Sequence, residues 1–402
     1  MGLSLLMVPL LLKILGVSSY GTWAALSSLI IWLTLFDFGM GHALKNTVSK
    51  SIAHQTLFDV HDEFFQVLKI TIVSAFLLMF IFLVALQYFD LLRDNYLVSL
   101  ALFIPVIVFL PLKIANFILQ GARLIALDAG LMFLNTLIFF LIVAVLYFFD
   151  FEPSLMIVAL SFIFAYTISL ILVSYKAMRV LGLSYSDFSK VLHVKFDLVR
   201  IKLGLKFFGL QLSSLVLYSL GTVIVFTYLS GVHAAQYDVV NKIFLFGLSF
   251  FTIVIGSFWP EISTHLANNK LDKVRSLYLK MLLLSLVFSF FAFVVAYFSP
   301  TIVQIWTGSQ IEISRDQALF FALLVSFQAV AYSGAVVLNA FEKINIQLGL
   351  SILATALMLP FAIYLIGMGY SIEAVPLASA ILTFAAMIYC NIHAFILIKG
   401  LS

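Results

Sequence analysis

Residues 67–89 read VLKITIVSAFLLMFIFLVALQYF, a run in which Lys69 is the one charged side chain. A helix needs about 20 apolar residues to cross the hydrocarbon core of a bilayer, so this run is long enough for one crossing. Similar runs recur along the 402 residues, of which 64% are hydrophobic and 10% charged. A water-soluble domain of that composition could not cover its surface with polar groups. The sequence therefore predicts an all-α integral membrane protein.

Hydrophobic runs between polar breaks predict about twelve transmembrane helices. They lie near residues 2–15, 20–41, 67–89, 97–121, 128–149, 154–176, 204–229, 238–260, 277–299, 316–340, 344–368 and 373–398. The longest polar connection, 177–203, is rich in basic residues and separates an N-terminal six-helix lobe, 1–176, from a C-terminal six-helix lobe, 204–402. Because six is an even number, both lobes enter the membrane from the same side.

The distribution of lysine and arginine predicts the orientation, since cytoplasmic loops retain positive charge. With both termini in the cytoplasm, seventeen basic residues lie in inner loops or at inner helix ends. The outer loops then hold only Arg93 and Arg315, and the remaining three basic residues lie within spans. We therefore expect a multi-pass protein of a cytoplasmic membrane with both termini inside.

The three basic residues within spans are Lys13, Lys113 and Lys242. An ionisable residue at the centre of a span costs about 2.5 to 3.5 kcal/mol on insertion scales, so each lysine needs water, a counter-ion or a ligand. Cations at membrane depth favour an anionic ligand, above all one that carries phosphate charge. A pump for lipophilic cations would be expected to show the opposite sign.

Lys113 begins a polar stripe in the fourth span. Asn116, Gln120 and Arg123 follow it at steps of three, four and three, which is one face of a helix. Two prolines in the same span should kink it, as is common where helices line a cavity. The stripe is either a substrate-binding surface or a hydrogen-bonded seam between helices.

Lys242 and Lys13 each allow two interpretations. Lys242 follows Asp238 by one helical turn, so it either forms an ion pair within the helix or supplies a cation to a cavity. Lys13 lies near the outer end of a short first helix, where it either extends to the interface or faces the same cavity. Both are weaker candidates for substrate binding than Lys113.

Asp37 is the acid that stands out in the spans of the first half, near the inner end of span two. It either pairs with Lys45 or Arg123, or serves as a site for a coupling proton or cation. The choice depends on its depth in the membrane.

Several kinds of site have no support in the sequence. Cys390 is the one cysteine, and the seven histidines form no ligand pair at helical spacing near carboxylates, so neither a metal site nor a disulfide framework is expected. No GxxxxGK loop is present for nucleotide hydrolysis. We expect no cofactor, no nucleic-acid partner and no enzymatic activity.

Several segments resemble bacterial O-antigen and capsular polysaccharide flippases of the Wzx type, which form a branch of the superfamily that also contains the MATE drug exporters. The first is GVSSYGTWAALSSLIIWLTLFDFGMG at Gly16–Gly41. The others, in the same order as in that family, are Gln120–Gly121, Tyr237–Lys242 (YDVVNK), Phe258–Asn268 (FWPEISTHLAN) and Leu338–Ser351 (LNAFEKINIQLGLS). The resemblance covers nearly the whole chain, although no single motif is very specific.

This resemblance implies a MATE-like fold with two six-helix lobes around a central cationic cavity. It also implies alternating-access transport of an undecaprenyl diphosphate-linked oligosaccharide from the inner to the outer leaflet of a bacterial inner membrane, for O-antigen or lipopolysaccharide biosynthesis. The lysines of the cavity would then hold the diphosphate. The implied partners are this substrate, membrane lipids and, as a further candidate, the polysaccharide polymerase machinery.

Three other functions remain open at this point. The runner-up is a cation-coupled exporter of drugs or small metabolites on the same fold. A membrane-bound enzyme of polysaccharide assembly would need an active site that the sequence does not show. A lipid II flippase is the third, although such proteins resemble a longer chain with two further spans.

Overall fold

The computed structural model describes residues 2–33, 40–41, 44–45, 47–48, 58–149, 154–182, 191, 208, 212–213, 215–268, 270–341, 343 and 345–400. Its helices are α1 (Gly2–Leu33), α2 (Phe58–Tyr88), α3 (Asp90–Asp94), α4 (Tyr96–Val108), α5 (Ile114–Gly121), α6 (Ile125–Phe148), α7 (Leu155–Leu181), α8 (Gly221–Tyr228), α9 (Gly231–Gly256), α10 (Phe258–Ala267), α11 (Leu271–Thr307), α12 (Arg315–Ala340), α13 (Asn345–Gly367) and α14 (Ala374–Ile398). A 3-10 turn, Leu110–Lys113, joins α4 to α5. Every regular element within these ranges is therefore helical.

Nine helices of the described ranges are long and apolar enough to cross a membrane, or ten if the bent pair formed by α4 and the segment Leu110–Gly121 is one span. The prediction of about twelve spans and this count differ in two places. The first helix of the count, α1, holds predicted span one and the start of span two, but the chain leaves the helical path at Gly16 with φ 73° and ψ 164°, so the break predicted between these two spans is present. Predicted span seven, 204–229, lies partly outside the described residues and contributes only α8 and a short segment before it.

The chain divides into two compact units. The C-unit comprises Tyr20–Ala25 with Ser213–Ser402, and the N-unit comprises Gly2–Ser19 with Leu26–Leu212. The short segment Tyr20–Ala25 of α1 groups with the C-terminal part of the chain. The segment does so because Gly21 packs closely against the backbone of Gly231 at the start of α9.

The N-unit packs around α5. Ile114, Ile118 and Leu119 are buried in one cluster with residues of α2 and α7. Gly121, the last residue of α5, packs closely against the backbone of Lys45. A Cβ at position 121 would lie 2.6 Å from the carbonyl oxygen of Lys45, so a larger residue would not fit there. α5 is thus held on several sides, which fixes the direction of its polar face.

The C-unit packs around α12. Phe321 of α12 lies between Tyr237 and Phe244 of α9, with ring centroids 5.2 and 6.0 Å away. Near the other end of α12, a Cβ at Gly334 would lie 2.7 Å from the carbonyl carbon of Cys390, so α12 and α14 approach closely there. Cys390 is buried in this part of the C-unit.

Candidate functional site

The fourth span is broken in its middle. α4 ends at Val108, and the segment Leu110–Gly121 continues at an angle of 52°. Pro111 accounts for the break, because proline has no N–H to donate to the carbonyl of residue 107 and its ring collides with that carbonyl. Non-helical backbone at membrane depth is tolerated where it is buried in protein or lines a cavity. The break places Lys113 at the start of α5, half-buried, beside such a cavity.

The cavity has a volume of about 250 Å³. It is lined by Thr71, Leu110, Lys113, Ile114, Asn116, Phe117, Gln120, Asp128 and Met132. Three residues of the stripe predicted from the sequence, Lys113, Asn116 and Gln120, therefore share one cavity. We call it the polar cavity.

Asp128 organises the two amide side chains. Its carboxylate accepts hydrogen bonds from Asn116 Nδ2 at 2.6 Å and from Gln120 Nε2 at 2.8 Å, and the residue is only 5% exposed. Gln120 Oε1 in turn accepts a hydrogen bond from Lys45 Nζ at 3.2 Å. The carboxylate thus fixes both amides, and through Gln120 it reaches a second lysine.

Only one of the two polar atoms of the Asn116 side chain has a hydrogen-bond partner within the described residues. Its Nδ2 donates to Asp128, while its Oδ1 is buried without a hydrogen-bond partner within the described residues. A buried acceptor that lacks a donor costs about 1 to 3 kcal/mol. The site therefore holds one acceptor that a water molecule or a ligand could satisfy.

Asp128 was missed by reasoning from the sequence, which placed it at the boundary of the fifth span and drew no inference from it. The sequence could have indicated its role, since only a short connection separates the end of α5 at Gly121 from the start of α6 at Ile125. An acid at the start of α6 can therefore return to the polar face of α5. The expected excess of cations is smaller than predicted, because the lining of the polar cavity holds one lysine and one carboxylate.

Arg123 does not continue the stripe. α5 ends at Gly121, and Arg123 adopts a left-handed backbone with φ 61° on the exposed surface. Leu124 N–H donates to the carbonyl of Leu119 and closes the turn after the helix. The assignment of Arg123 to the same helical face is wrong, because the helix does not extend that far.

Lys242 forms the ion pair that its spacing allowed. Its Nζ lies 2.5 Å from Asp238 Oδ2 and 3.0 Å from the hydroxyl oxygen of Tyr20. The Tyr20 hydroxyl donates to Asp238 Oδ2, also at 2.5 Å. All three residues belong to the C-unit, where they form a group that we call the Tyr20 triad. Its charges cancel, so Lys242 supplies less attraction for an anion than an unpaired lysine would.

Lys13 does not line the polar cavity and contacts Tyr147 instead. Its Nζ lies 4.5 Å from the centroid of the Tyr147 ring and 3.4 Å from the hydroxyl of that residue. The side chain is exposed and Tyr147 lies at the end of α6, as expected of a lysine that extends to the membrane interface. Asp37 lies outside the described residues.

Comparison with known proteins identifies the fold. No family model matches the sequence. Over 60 residues, 15% of this chain, it is 35% identical to a Salmonella typhi protein named "Putative O-antigen transporter", of which the match spans only 14%. A multidrug-resistance MATE transporter of the MOP superfamily, in its inward-facing form, superposes with a TM-score of 0.70 at 13% identity, covering 99% of this chain and 95% of that one. The bent form of the Vibrio cholerae MATE transporter VcmN gives a TM-score of 0.55 at 16% identity, covering 99% and 93%.

The chain is thus an all-helical, multi-pass membrane protein with the MATE fold, as the sequence predicted. Both structural relatives are named as MATE transporters. At 13 and 16% identity the likeness establishes the fold alone.

Proposed function

We propose that the chain is a flippase that moves an undecaprenyl diphosphate-linked oligosaccharide from the inner to the outer leaflet of a bacterial cytoplasmic membrane by alternating access. The observation that carries the proposal is Lys113 beside two amide side chains in a cavity at a broken span. Ligand sites of transporters lie at such discontinuous helices. The MATE fold and the short likeness to the Salmonella typhi protein support the same class of function.

The polar cavity can bind a diphosphate without holding it too tightly. Lys113 supplies an ammonium group to the lining of the cavity. A second ammonium group, that of Lys45, donates a hydrogen bond to Gln120, which also lines the cavity. Asp128 opposes them and lowers the affinity for an anion. A carrier must release its cargo, so binding that is favourable but weak suits transport better than a deep electrostatic trap.

Replacement of Lys113 by alanine tests the proposal. In a strain whose surface polysaccharide depends on this protein, we expect Lys113→Ala to abolish that polysaccharide while the protein level stays unchanged. A hydrogen bond to a charged group contributes about 1.5 to 3 kcal/mol, which corresponds to roughly a 10- to 150-fold loss of affinity. Lys113→Arg should retain part of the export, because it keeps the charge.

Lys399→Ala is the matched control, since Lys399 is exposed at the end of α14 and stacks on Phe395. We expect surface polysaccharide at the wild-type level for this variant. Normal polysaccharide in the Lys113→Ala strain would overturn the assignment of Lys113 to the diphosphate.

A second candidate function, a cation-coupled exporter of drugs or small metabolites, is favoured by the buried Asp128 and by the multidrug transporter among the structural relatives. Asp128→Asn separates the two, because it removes the charge and keeps an acceptor oxygen for one amide. If the chain is a flippase, we expect neither the wild type nor the Asp128→Asn variant to protect a drug-sensitised host. Drug resistance that the wild type confers and Asp128→Asn loses would favour the exporter.

A further inference from the structure

A second cavity also borders the break in span four. It is an apolar groove of about 240 Å³ between α2 and the end of α4. It is lined by Ile72, Ala75, Phe76, Met79, Ile107, Val108 and Pro111. None of these side chains carries a polar atom that donates a hydrogen bond, and we call this cavity the α2–α4 groove.

The groove opens toward the apolar surface of the N-unit. The residues from α2 follow one another at steps of three, one and three, which places them on one face of that helix. Phe76 and Val108 are 75% and 54% exposed at the rim, whereas Ile107 is buried at the floor. Because the flanking surface of α2 is also apolar, the mouth of the groove faces the region that acyl chains occupy in a membrane.

The groove and the polar cavity are lined by neighbouring residues of the same two elements. Thr71 lines the polar cavity, and Ala75, one turn further along α2, lines the groove. Leu110 lines the polar cavity, and its neighbour Pro111 lines the groove. A molecule with a charged head and an apolar chain can therefore occupy both at once, its head beside Lys113.

The depth of the two cavities matches a lipid of the inner leaflet. In the predicted orientation α2 enters from the cytoplasm, so Thr71 lies nearer the inner interface than Met79. The eight helical steps from Thr71 to Met79 rise about 12 Å, a large part of one leaflet of a hydrocarbon core roughly 30 Å thick. The polar cavity thus comes first from the cytoplasmic side, and the groove extends from it toward the bilayer centre.

We propose that the α2–α4 groove binds the isoprene units next to the diphosphate of the substrate, while Lys113 binds the diphosphate itself. This inference rests on the proposed function. An isoprenoid chain carries methyl branches and flat double bonds, which suit a groove lined by an aromatic ring, a proline ring and an adaptable methionine. The groove would therefore help to select a polyprenyl diphosphate over a headgroup alone.

Binding of two soluble probes to the purified full chain tests the inference. Inorganic pyrophosphate reports on the polar cavity, and farnesyl diphosphate reports on the polar cavity and the groove together. We expect farnesyl diphosphate to bind at least about tenfold more tightly, since burial of only two CH₂ groups already gives that factor. Lys113→Gln should weaken the binding of both probes.

Ala75→Trp fills the groove and should remove the advantage of farnesyl diphosphate without changing the affinity for pyrophosphate. Ala75→Leu, a smaller change, should remove part of the advantage and serves if the tryptophan variant does not fold. Ala385→Trp is the matched control. Ala385 lines a different apolar groove, of about 610 Å³, between α13 and α14 of the C-unit, and this variant should bind both probes as the wild type does.

Three outcomes would overturn the inference. Farnesyl diphosphate could keep its advantage in both Ala75 variants, it could lose that advantage in Ala385→Trp, or phosphatidylglycerol could displace it at equal concentration, which would assign the groove to ordinary phospholipid. Failure of the proposed function looks different. In that case pyrophosphate would not bind the wild type, or Lys113→Gln would leave the affinity for both probes unchanged.

Discussion

Gly21→Ala is expected to lower the melting temperature of the purified protein strongly, or to prevent its accumulation. A Cβ at residue 21 would lie 1.7 Å from the carbonyl oxygen and 2.6 Å from the carbonyl carbon of Gly231. Both atoms belong to the backbone at the start of α9, so no side-chain rotation can relieve the overlap. Overpacking of a core costs about 1 to 3 kcal/mol when side chains can adjust, and we expect a loss above that range here.

Gly130→Ala is the matched control, because Gly130 also lies within a helix and a Cβ there meets no atom within 4 Å. Alanine is better than glycine in a helix by about 0.5 to 1 kcal/mol, so this variant should melt at the same or a slightly higher temperature. Size-exclusion chromatography after heating measures both variants. Equal melting temperatures for Gly21→Ala and the wild type would show that α1 and α9 are not in contact at these glycines.

Asp238→Ala is expected to destabilise the protein by about 3 kcal/mol. Asp238 is the shared acceptor of the Tyr20 triad, and its removal leaves the fully buried Tyr20 hydroxyl and the Lys242 ammonium without a carboxylate. Removal of one partner from a buried ion pair costs roughly 3 to 5 kcal/mol. The low end applies because the Lys242 side chain remains 31% exposed and can recruit water.

Two comparisons show whether the charge of Lys242 causes this loss. The double variant Asp238→Ala with Lys242→Met should recover part of the stability, because no unpaired charge remains. Asp90→Ala removes one of the two exposed carboxylates that pair with Arg93, the other being Asp94, and should cost about 0.2 to 1 kcal/mol. If Asp238→Ala proves as mild as Asp90→Ala, the Tyr20 triad does not stabilise the C-unit.

Much of the fold could be predicted from the sequence because bilayer thickness constrains the length of every span. The run at 67–89 alone indicated a crossing helix, and α2 contains nearly all of it. The break between the first two spans was also predicted, and the backbone leaves the helical path there, at Gly16. Local spacing also gave the ion pair between Asp238 and Lys242, one turn apart, as one of two interpretations, and the structure shows that pair.

Contacts between residues that lie far apart in the chain could not be predicted from hydrophobic runs or helical spacing. Tyr20 and Asp238 lie 218 positions apart, and no periodicity in either segment indicates that they meet. At the polar cavity, helical spacing correctly grouped Lys113, Asn116 and Gln120, but it extended the stripe to Arg123, past the end of α5. The role of Asp128 depends on how tightly the chain turns between α5 and α6, which side-chain periodicity does not report.

The burial of Cys390 has a practical consequence for labelling experiments. It is the one cysteine of the chain, and it is only 1% exposed. A shielded thiol reacts slowly with maleimides, because reagents attack the accessible thiolate. The natural protein should therefore give little labelling of its own. A cysteine introduced at exposed Arg123 or Ser309 would then show, by its reaction with a membrane-impermeant maleimide, which side of the membrane each turn faces.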